Sequence, residues 1–262
     1  YYIAPSTLTA TFGPDFKLEQ AKFFVRASLD IVRELIRLIT DWQLSCRSCL
    51  SFHIPSEFIG INIAAAEEPQ SDENVVQHLR ELGIRQVRLA VTYGSLGSPQ
   101  QRLLDRVLAE GFDVMLVLLP PREKAHAILF DISAQNQWVG FVQKVLSLYA
   151  TSVSILEIGS TPNRKKWSGY RLRSYLKAWE LAVSQTRNLS ICLAGPNVQD
   201  FEPHANRLLL RAIKRNSVTP EVHTDNLFVE RVIEPEAYDH RALGRLVTNL
   251  VNLHLIKKAR IL

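Results

Sequence analysis

One pattern recurs along most of this chain: a short aliphatic or β-branched run, a polar loop, and a stretch whose apolar residues have helical spacing. It recurs six times from residue 58 onward, at about 34 residues per unit. Such alternation is typical of parallel strands joined by crossover helices. The predicted strands are 58–63, 86–91, 113–119, 153–158, 189–194 and 221–228, and the predicted helices are 71–83, 98–111, 137–149, 170–186, 203–216 and 238–258.

The spacing of these units favours an α/β fold of the (β/α)8 barrel type, which takes about 250 residues when complete. Two units of such a barrel are then missing, and residues 259–262 are interpreted as the start of a seventh strand. The alternative is an open doubly wound sheet, which six strands complete. A dinucleotide-binding version of that sheet is not indicated, because no Gly-x-Gly-x-x-Gly follows the first strand.

Residues 1–57 are predicted to form a helical extension, separate from the partial barrel at 58–262. Apolar residues within 16–42 fall on one face of a long amphipathic helix, which packs on the barrel or belongs to an upstream domain. A helix lying in a membrane interface is less favoured, because acidic and basic residues mix on its polar side. Even the most apolar segment, 23–39, carries five charged residues, so no membrane span is predicted.

Charge, cysteine content and short motifs limit which partners, cellular locations, metals and cofactors are predicted. The net charge is +5 with scattered basic residues, so no nucleic-acid partner is predicted. Three cysteines leave an odd thiol, which favours a reducing, cytoplasmic location. Cys46, Cys49 and His53 lack a fourth ligand, so no metal site is predicted. Neither a serine-nucleophile elbow nor a phosphate-binding loop occurs, and no cofactor is expected.

The region richest in potential chemistry follows the fourth predicted strand, because barrels of this type carry their active sites at the C-terminal ends of strands. It reads Glu-Ile-Gly-Ser-Thr-Pro-Asn at 157–163. This segment resembles the fourth-strand motif of clan A glycoside hydrolases, commonly Trp-Glu-Ile-Trp-Asn-Glu-Pro-Asn. The positions shared with that motif are Glu157, Ile158, Pro162 and Asn163.

Two positions depart from the motif. Ser160 and Thr161 stand where the family places an Asn that contacts the sugar and the Glu that is the general acid/base. A two-carboxylate glycosidase needs a group that delivers a proton to the leaving oxygen, and a threonine hydroxyl cannot do so. The family's nucleophile ends a seventh strand, so the resemblance assigns no catalytic carboxylate to this chain.

The resemblance therefore implies a glycoside hydrolase-like barrel that acts on or binds a polysaccharide, with catalysis impaired at Thr161. One alternative is a non-catalytic carbohydrate-binding barrel that kept the cleft. Another is a scaffold in which the N-terminal helix docks a neighbouring protein.

Several residues outside the motif are also predicted to contact a sugar. Arg88 lies in the second strand, where family members place an Arg beside the nucleophile, and its alternative is a solvent-facing role. His223 and Asp225 lie in the sixth strand, where the family often offers a His or Tyr; the alternative for His223 is a hydrogen-bonded core residue. Trp167 and Tyr170 have rings suited to stacking on a sugar face, or to anchoring their loop.

Strand alternation places Glu157 on the barrel interior, one layer below Thr161. We interpret Glu157 as a buried, paired structural acid rather than as an acid/base. The charged run at 228–240 is the first place to look for further ligand contacts, because it is long for a loop. The complete set of predicted substrate-binding residues is Arg88, Glu157, Ser160, Thr161, Asn163, Trp167, His223 and Asp225.

Overall fold

The structure is a computed structural model that describes residues 59–199 and 203–226. Several predictions lie outside these described residues: the helical extension at 1–57, the cysteine pair within it, the charged run at 228–240, the last helix and the start of a seventh strand. The predicted domain boundary at residue 58 therefore stays a prediction.

The described strands form one parallel sheet whose spatial order follows the order of the chain. A doubly wound sheet reverses its strand order at a switch point, and no reversal occurs among these six strands. Right-handed crossovers in such an order place every connecting helix on the same face of the sheet. The result is an α/β fold in which a curled sheet makes half of a barrel.

Most of the predicted elements are present, several of them with shifted ends. The strands are β1 Gly60–Ile63, β2 Gln86–Val91, β3 Asp113–Leu118, β4 Ile155–Ile158, β5 Cys192–Gln199 and β6 Val222–Asn226. The helices are α1 Gln70–Glu81, α2 Pro99–Ala109, α3 Arg122–Ala125, α4 Ile132–Tyr149, α5 Lys165–Ser168, α6 Leu172–Thr186 and α7 Pro203–Asn216, with a 3-10 turn at Ala127–Leu129. Within the described part of the chain, no helix combines the length and apolar character needed to cross a bilayer.

Helix starts depend on local capping, and the sequence predicts only some of them correctly. Ser98, where the second helix is predicted to start, caps α2 and accepts a hydrogen bond from the Gln100 N–H at 3.3 Å. Ser71 does not cap α1, which begins one residue earlier behind Pro69, whose ring already fixes a helical φ. The predicted start at 137 for the next long helix is also wrong, since α4 begins at Ile132 and Asp131 caps it.

The fifth strand is longer than predicted. The predicted strand ends at residue 194, whereas β5 continues through Gly195-Pro196 to Gln199. Pairing with β6 continues because an irregularity in register between Pro196 and Val198 accommodates the proline, which has no N–H to donate. This extension carries Asn197 and Gln199 to the C-terminal edge of the sheet.

Side-chain alternation divides the sheet into two faces. The outer face packs its aliphatic residues against the helices, as Leu89, Leu116 and Leu156 do in the main apolar core. The inner, concave face has a different row of register partners, formed by Val117, Glu157 and Ala194, which are all fully buried. A charged residue thus lies in the middle of the inner face.

Helix α6 holds the centre of the outer layer through hydrogen bonds as well as apolar contacts. The Tyr175 hydroxyl donates to the Ile158 carbonyl at the end of β4, at 3.1 Å. Gly159 follows that carbonyl with φ +72°, and a Cβ there would lie 2.8 Å from Tyr175 Cε2. The absence of a side chain at Gly159 therefore lets α6 approach the end of β4.

We expect Gly159→Ala to lower the free energy of unfolding more than Gly111→Ala does. Both glycines have positive φ, so both variants lose about 1 to 2 kcal/mol from backbone strain. Only the Gly159 variant adds overpacking, of about 1 to 3 kcal/mol, because nothing lies within 4 Å of a Cβ at Gly111. Urea denaturation of both variants checks this, and equal losses would contradict the close approach of α6.

Candidate functional site

A buried ion pair lies on the inner face and reaches from β2 to β4 across β3. Arg88 Nε donates to Glu157 Oε2 at 2.7 Å, and the Nη2 atom lies 2.6 Å from the same oxygen. The Glu157 side chain is fully buried, whereas 29% of the Arg88 side chain is exposed. A second contact joins Arg88 Nη1 to Asn62 Oδ1 on β1, at 3.3 Å. Arg88 therefore links three strands across the concave face.

The pairing leaves one carboxylate oxygen unused. Glu157 Oε1 is buried and has no hydrogen-bond partner among the described residues. Nearby, burial raises the pKa of Tyr175 well above 10, with smaller contributions from Tyr170 and from the charge on Glu157. The Tyr175 hydroxyl is thus a neutral donor committed to the backbone, and Glu157 keeps an open acceptor.

Two residues with left-handed backbone conformations lie side by side above this pair. Thr161 follows β4 with φ +46°, and Asn197 lies in β5 with φ +48°. The Thr161 N–H donates to the Asn197 carbonyl at 2.9 Å, which ties the two conformations together. Such a conformation is strained for a β-branched residue like threonine, and strain of this kind concentrates at ligand sites.

Amide side chains surround these two residues at the C-terminal edge. The Asn163 side chain makes two bonds to the Gln199 backbone, donating to its carbonyl at 2.8 Å and accepting from its N–H at 2.9 Å. The Asn226 amide of β6 donates to Gln199 Oε1 at 3.1 Å. Asn163, a predicted sugar-binding residue, thus fixes the loop after β4 onto β5.

Unused polar atoms accompany the amides. Asn197 Oδ1 and Thr224 Oγ1 are buried and lack hydrogen-bond partners within the described segments, as Glu157 Oε1 does. The Asn197 amide makes one long contact, donating to Ser160 Oγ at 3.5 Å. Buried polar groups are almost always satisfied in folded proteins, so atoms of this kind suit a ligand rich in hydroxyl groups. We call Ser160, Thr161, Asn197, Gln199, Thr224 and Asn226 the polar cluster.

The register places His223 away from this cluster. His223 pairs with Gly195, and a Cβ at Gly195 would meet Trp179 of α6 at 2.8 Å, so this register position faces the helices. Arg88 and Glu157 face the opposite side. Asp225 alternates with Thr224 in the same way and shares the helix-facing side with His223.

The two predicted stacking residues have different surroundings. Trp167 in α5 is 59% exposed. Tyr170 is buried and contacts Tyr175 edge to face, with ring centroids 5.4 Å apart. Burial raises the pKa of Tyr170 well above 10. Tyr170 therefore anchors its loop, and Trp167 is the aromatic ring open to a ligand.

Sequence reasoning missed Asn197, Gln199, Thr224 and Asn226. Asn197 and Gln199 lie beyond residue 194, where the predicted strand ends, so the sequence pattern does not place them at the edge of the sheet. Alternation within β6 was the available signal for the other two, since it separates Thr224 and Asn226 from His223. No group of three His, Cys, Asp or Glu side chains suited to a metal ion occurs within residues 59–199 and 203–226.

No family model and no curated protein sequence matches the chain. Solved structures to which it is similar include the virulence factor SghA from Agrobacterium tumefaciens, at 10% identity and a TM-score of 0.38 over 58% of this chain and 43% of that one. A family 1 β-glucosidase from Thermotoga maritima has 11% identity and a TM-score of 0.36, over 56% of this chain and 42% of that one.

An L-ribulose 3-epimerase has 13% identity and a TM-score of 0.37, over 77% of this chain and 95% of the epimerase. The chain spans less than half the length of the first two proteins. Likenesses at these TM-scores identify neither a family nor an activity. The barrel-type fold rests instead on the strand order and register.

We expect Arg88→Met to destabilise the fold by about 3 to 5 kcal/mol, because it leaves the Glu157 carboxylate buried and unpaired. The double variant Arg88→Met with Glu157→Leu should recover much of this loss, since no buried charge remains. Denaturant unfolding of the two variants measures both values.

The matched control is Lys177→Met, which breaks an exposed ion pair with Glu180 on α6 and should cost less than about 1 kcal/mol. A double variant less stable than Arg88→Met alone would contradict the pairing described here.

Proposed function

We propose that the polar cluster is a carbohydrate-binding site in a glycoside hydrolase-like barrel whose proton donor is replaced by Thr161. The observation that carries this proposal is the pair of left-handed residues, Thr161 and Asn197, joined at the C-terminal edge among buried polar atoms without partners. Barrels of this type use that edge for ligands.

The chemistry of the cluster suits a sugar. Sugar hydroxyls both donate and accept hydrogen bonds, which matches the open acceptors at Asn197 and Glu157 and the open hydroxyl of Thr224. The strained backbone at Thr161 and Asn197 holds these groups before a ligand arrives, so less entropy is lost on binding. An exposed ring, Trp167, lies six residues beyond Thr161 and offers an apolar face to pyranose C–H groups.

Binding is favoured over efficient cleavage for a chemical reason. Glycoside hydrolysis by two carboxylates needs an acid with a raised pKa at the leaving oxygen. Thr161 stands at the position of that acid in the family motif, and a hydroxyl does not ionise near neutral pH. The buried carboxylate of Glu157 is held by Arg88, so it supports the site from below rather than serving as a mobile proton carrier.

We expect the protein to bind oligosaccharides in calorimetry and to turn over aryl glycosides slowly or not at all. Asn197→Gly should weaken binding about three- to tenfold, because glycine keeps the left-handed backbone and loses only the amide. The control is Asn74→Ala, which removes an exposed amide on α1 and should leave affinity unchanged.

The calorimetric panel should contain neutral and acidic oligosaccharides, with thermal melting of each variant to establish folding. Failure of the folded protein to bind any member of the panel would overturn the proposal. Hydrolysis at an enzyme-like rate that survives Thr161→Val would overturn the impaired-catalysis part alone, since another residue would then supply the proton.

A further inference from the structure

Basic residues are concentrated in two loops beside the candidate site. Segments 121–131, after β3, and 163–173, after β4, together contain seven Lys or Arg and two Asp or Glu, a net charge of +5. The whole chain also has a net charge of +5, so the rest of the sequence is balanced. We call these two segments the basic rim.

The fold brings the two segments of the basic rim together. Helices α3 and α5 contact each other, and Gly169 lies directly against the Arg122 carbonyl, where no Cβ would fit. The pKa of His126 is lowered by burial and further by the positive charges of Arg171 and Lys165, which lie in the other segment. Charges separated by about forty residues in sequence thus share one surface.

Two adjacent lysines lie in the basic rim. Lys165 and Lys166 are both exposed in the single turn of α5. Adjacent like charges repel each other, and a negatively charged partner would offset that repulsion.

Exposed rings lie among the charges. Phe130 is 67% exposed and Trp167 is 59% exposed, one in each segment of the rim. The Phe130 ring contacts His126 edge to face at 5.4 Å, which fixes it on the surface. A surface that alternates cations with aromatic faces suits a ligand that has both acidic groups and sugar rings.

The basic rim continues directly from the polar cluster. The Arg164 N–H donates to the Thr161 carbonyl at 2.9 Å, so the rim begins in the turn where the cluster ends. One extended ligand can therefore contact both. A nucleic acid is less favoured, because the polar cluster at the end of the rim presents amide and hydroxyl groups rather than positive charge, and so does not extend the basic surface along a long phosphate backbone.

We propose that the ligand is an anionic polysaccharide, a glycan bearing carboxylate or sulfate groups. This inference rests on the proposed carbohydrate site and adds the substrate class. Hydroxyl groups of the glycan contact the polar cluster, while its acidic groups contact Lys165, Lys166 and Arg122 of the rim.

The test compares glycans that differ only in charge. Polygalacturonate oligomers of about ten residues and the same oligomers with carboxyl groups reduced to alcohols are titrated into the full chain, at about 50 mM and about 300 mM NaCl. Heparin oligosaccharides form a sulfated arm. We expect at least one acidic probe to bind about tenfold or more tightly than the reduced oligomer, with a preference that shrinks at high salt.

Two double charge-reversal variants test which lysines are responsible for the preference for acidic glycans. Lys165→Glu with Lys166→Glu should weaken binding of the acidic probe about tenfold and leave the reduced oligomer unchanged. Lys144→Glu with Lys214→Glu makes the same change in net charge on exposed positions of α4 and α7, and should change neither affinity by more than about twofold.

The possible negative results distinguish failure of the anionic assignment from failure of the carbohydrate site itself. Equal binding of acidic and reduced oligomers would overturn the anionic assignment and leave the carbohydrate site intact. Equal binding of a single-stranded oligonucleotide, unaffected by Asn197→Gly, would show a general polyanion surface and overturn both proposals. A folded protein that binds none of these probes overturns the anionic assignment, and binding to another neutral glycan would still support the carbohydrate site.

Discussion

The structure depends on placing one carboxylate in the interior of a curled sheet. Glu157 is fully buried on the concave face, where an unpaired charge would be unstable, and Arg88 reaches across β3 to pair with it. Because the contact joins β2 to β4 while β3 lies between them, it requires both side chains to project from the same face. The ion pair therefore favours the pairing in which both side chains lie on the concave face, and it gives that face a polar floor.

The arrangement of the polar cluster at the C-terminal edge of the sheet depends on the close packing of α6 against β4 and β5. Gly159 and Gly195 let the rings of α6 reach β4 and β5, so those strand ends are held firmly. Held in this way, Thr161 and Asn197 keep left-handed conformations that a free loop would relax. The polar cluster is thus organised by the same contacts that stabilise the fold, and rigidity of this kind favours binding of a flexible polyhydroxy chain.

The sequence predicts the repeated part of this structure and misses the parts that depend on tertiary contacts. The bounds of β2 and α7 agree with those predicted, because strong apolar patterns define them. The single turns α3 and α5 have too few residues for a periodic signal. The predicted fifth strand ends before Gly195-Pro196, because proline is disfavoured within strands, and only the pairing with β6 shows that β5 continues. From the sequence alone the charges of the basic rim appear in two separate segments, since these segments meet only in the folded chain.

Hydrogen exchange of the full chain, with and without a bound oligosaccharide, tests the central claim most directly, because it reports protection along the backbone. If the polar cluster over the Arg88–Glu157 pair is the binding site, protection should increase at residues 159–163, 197–199 and 224–226, with the outer helices α1 and α2 unchanged. Binding that protects the outer helices, or leaves these three segments unchanged, would contradict a ligand site on the concave side of the sheet.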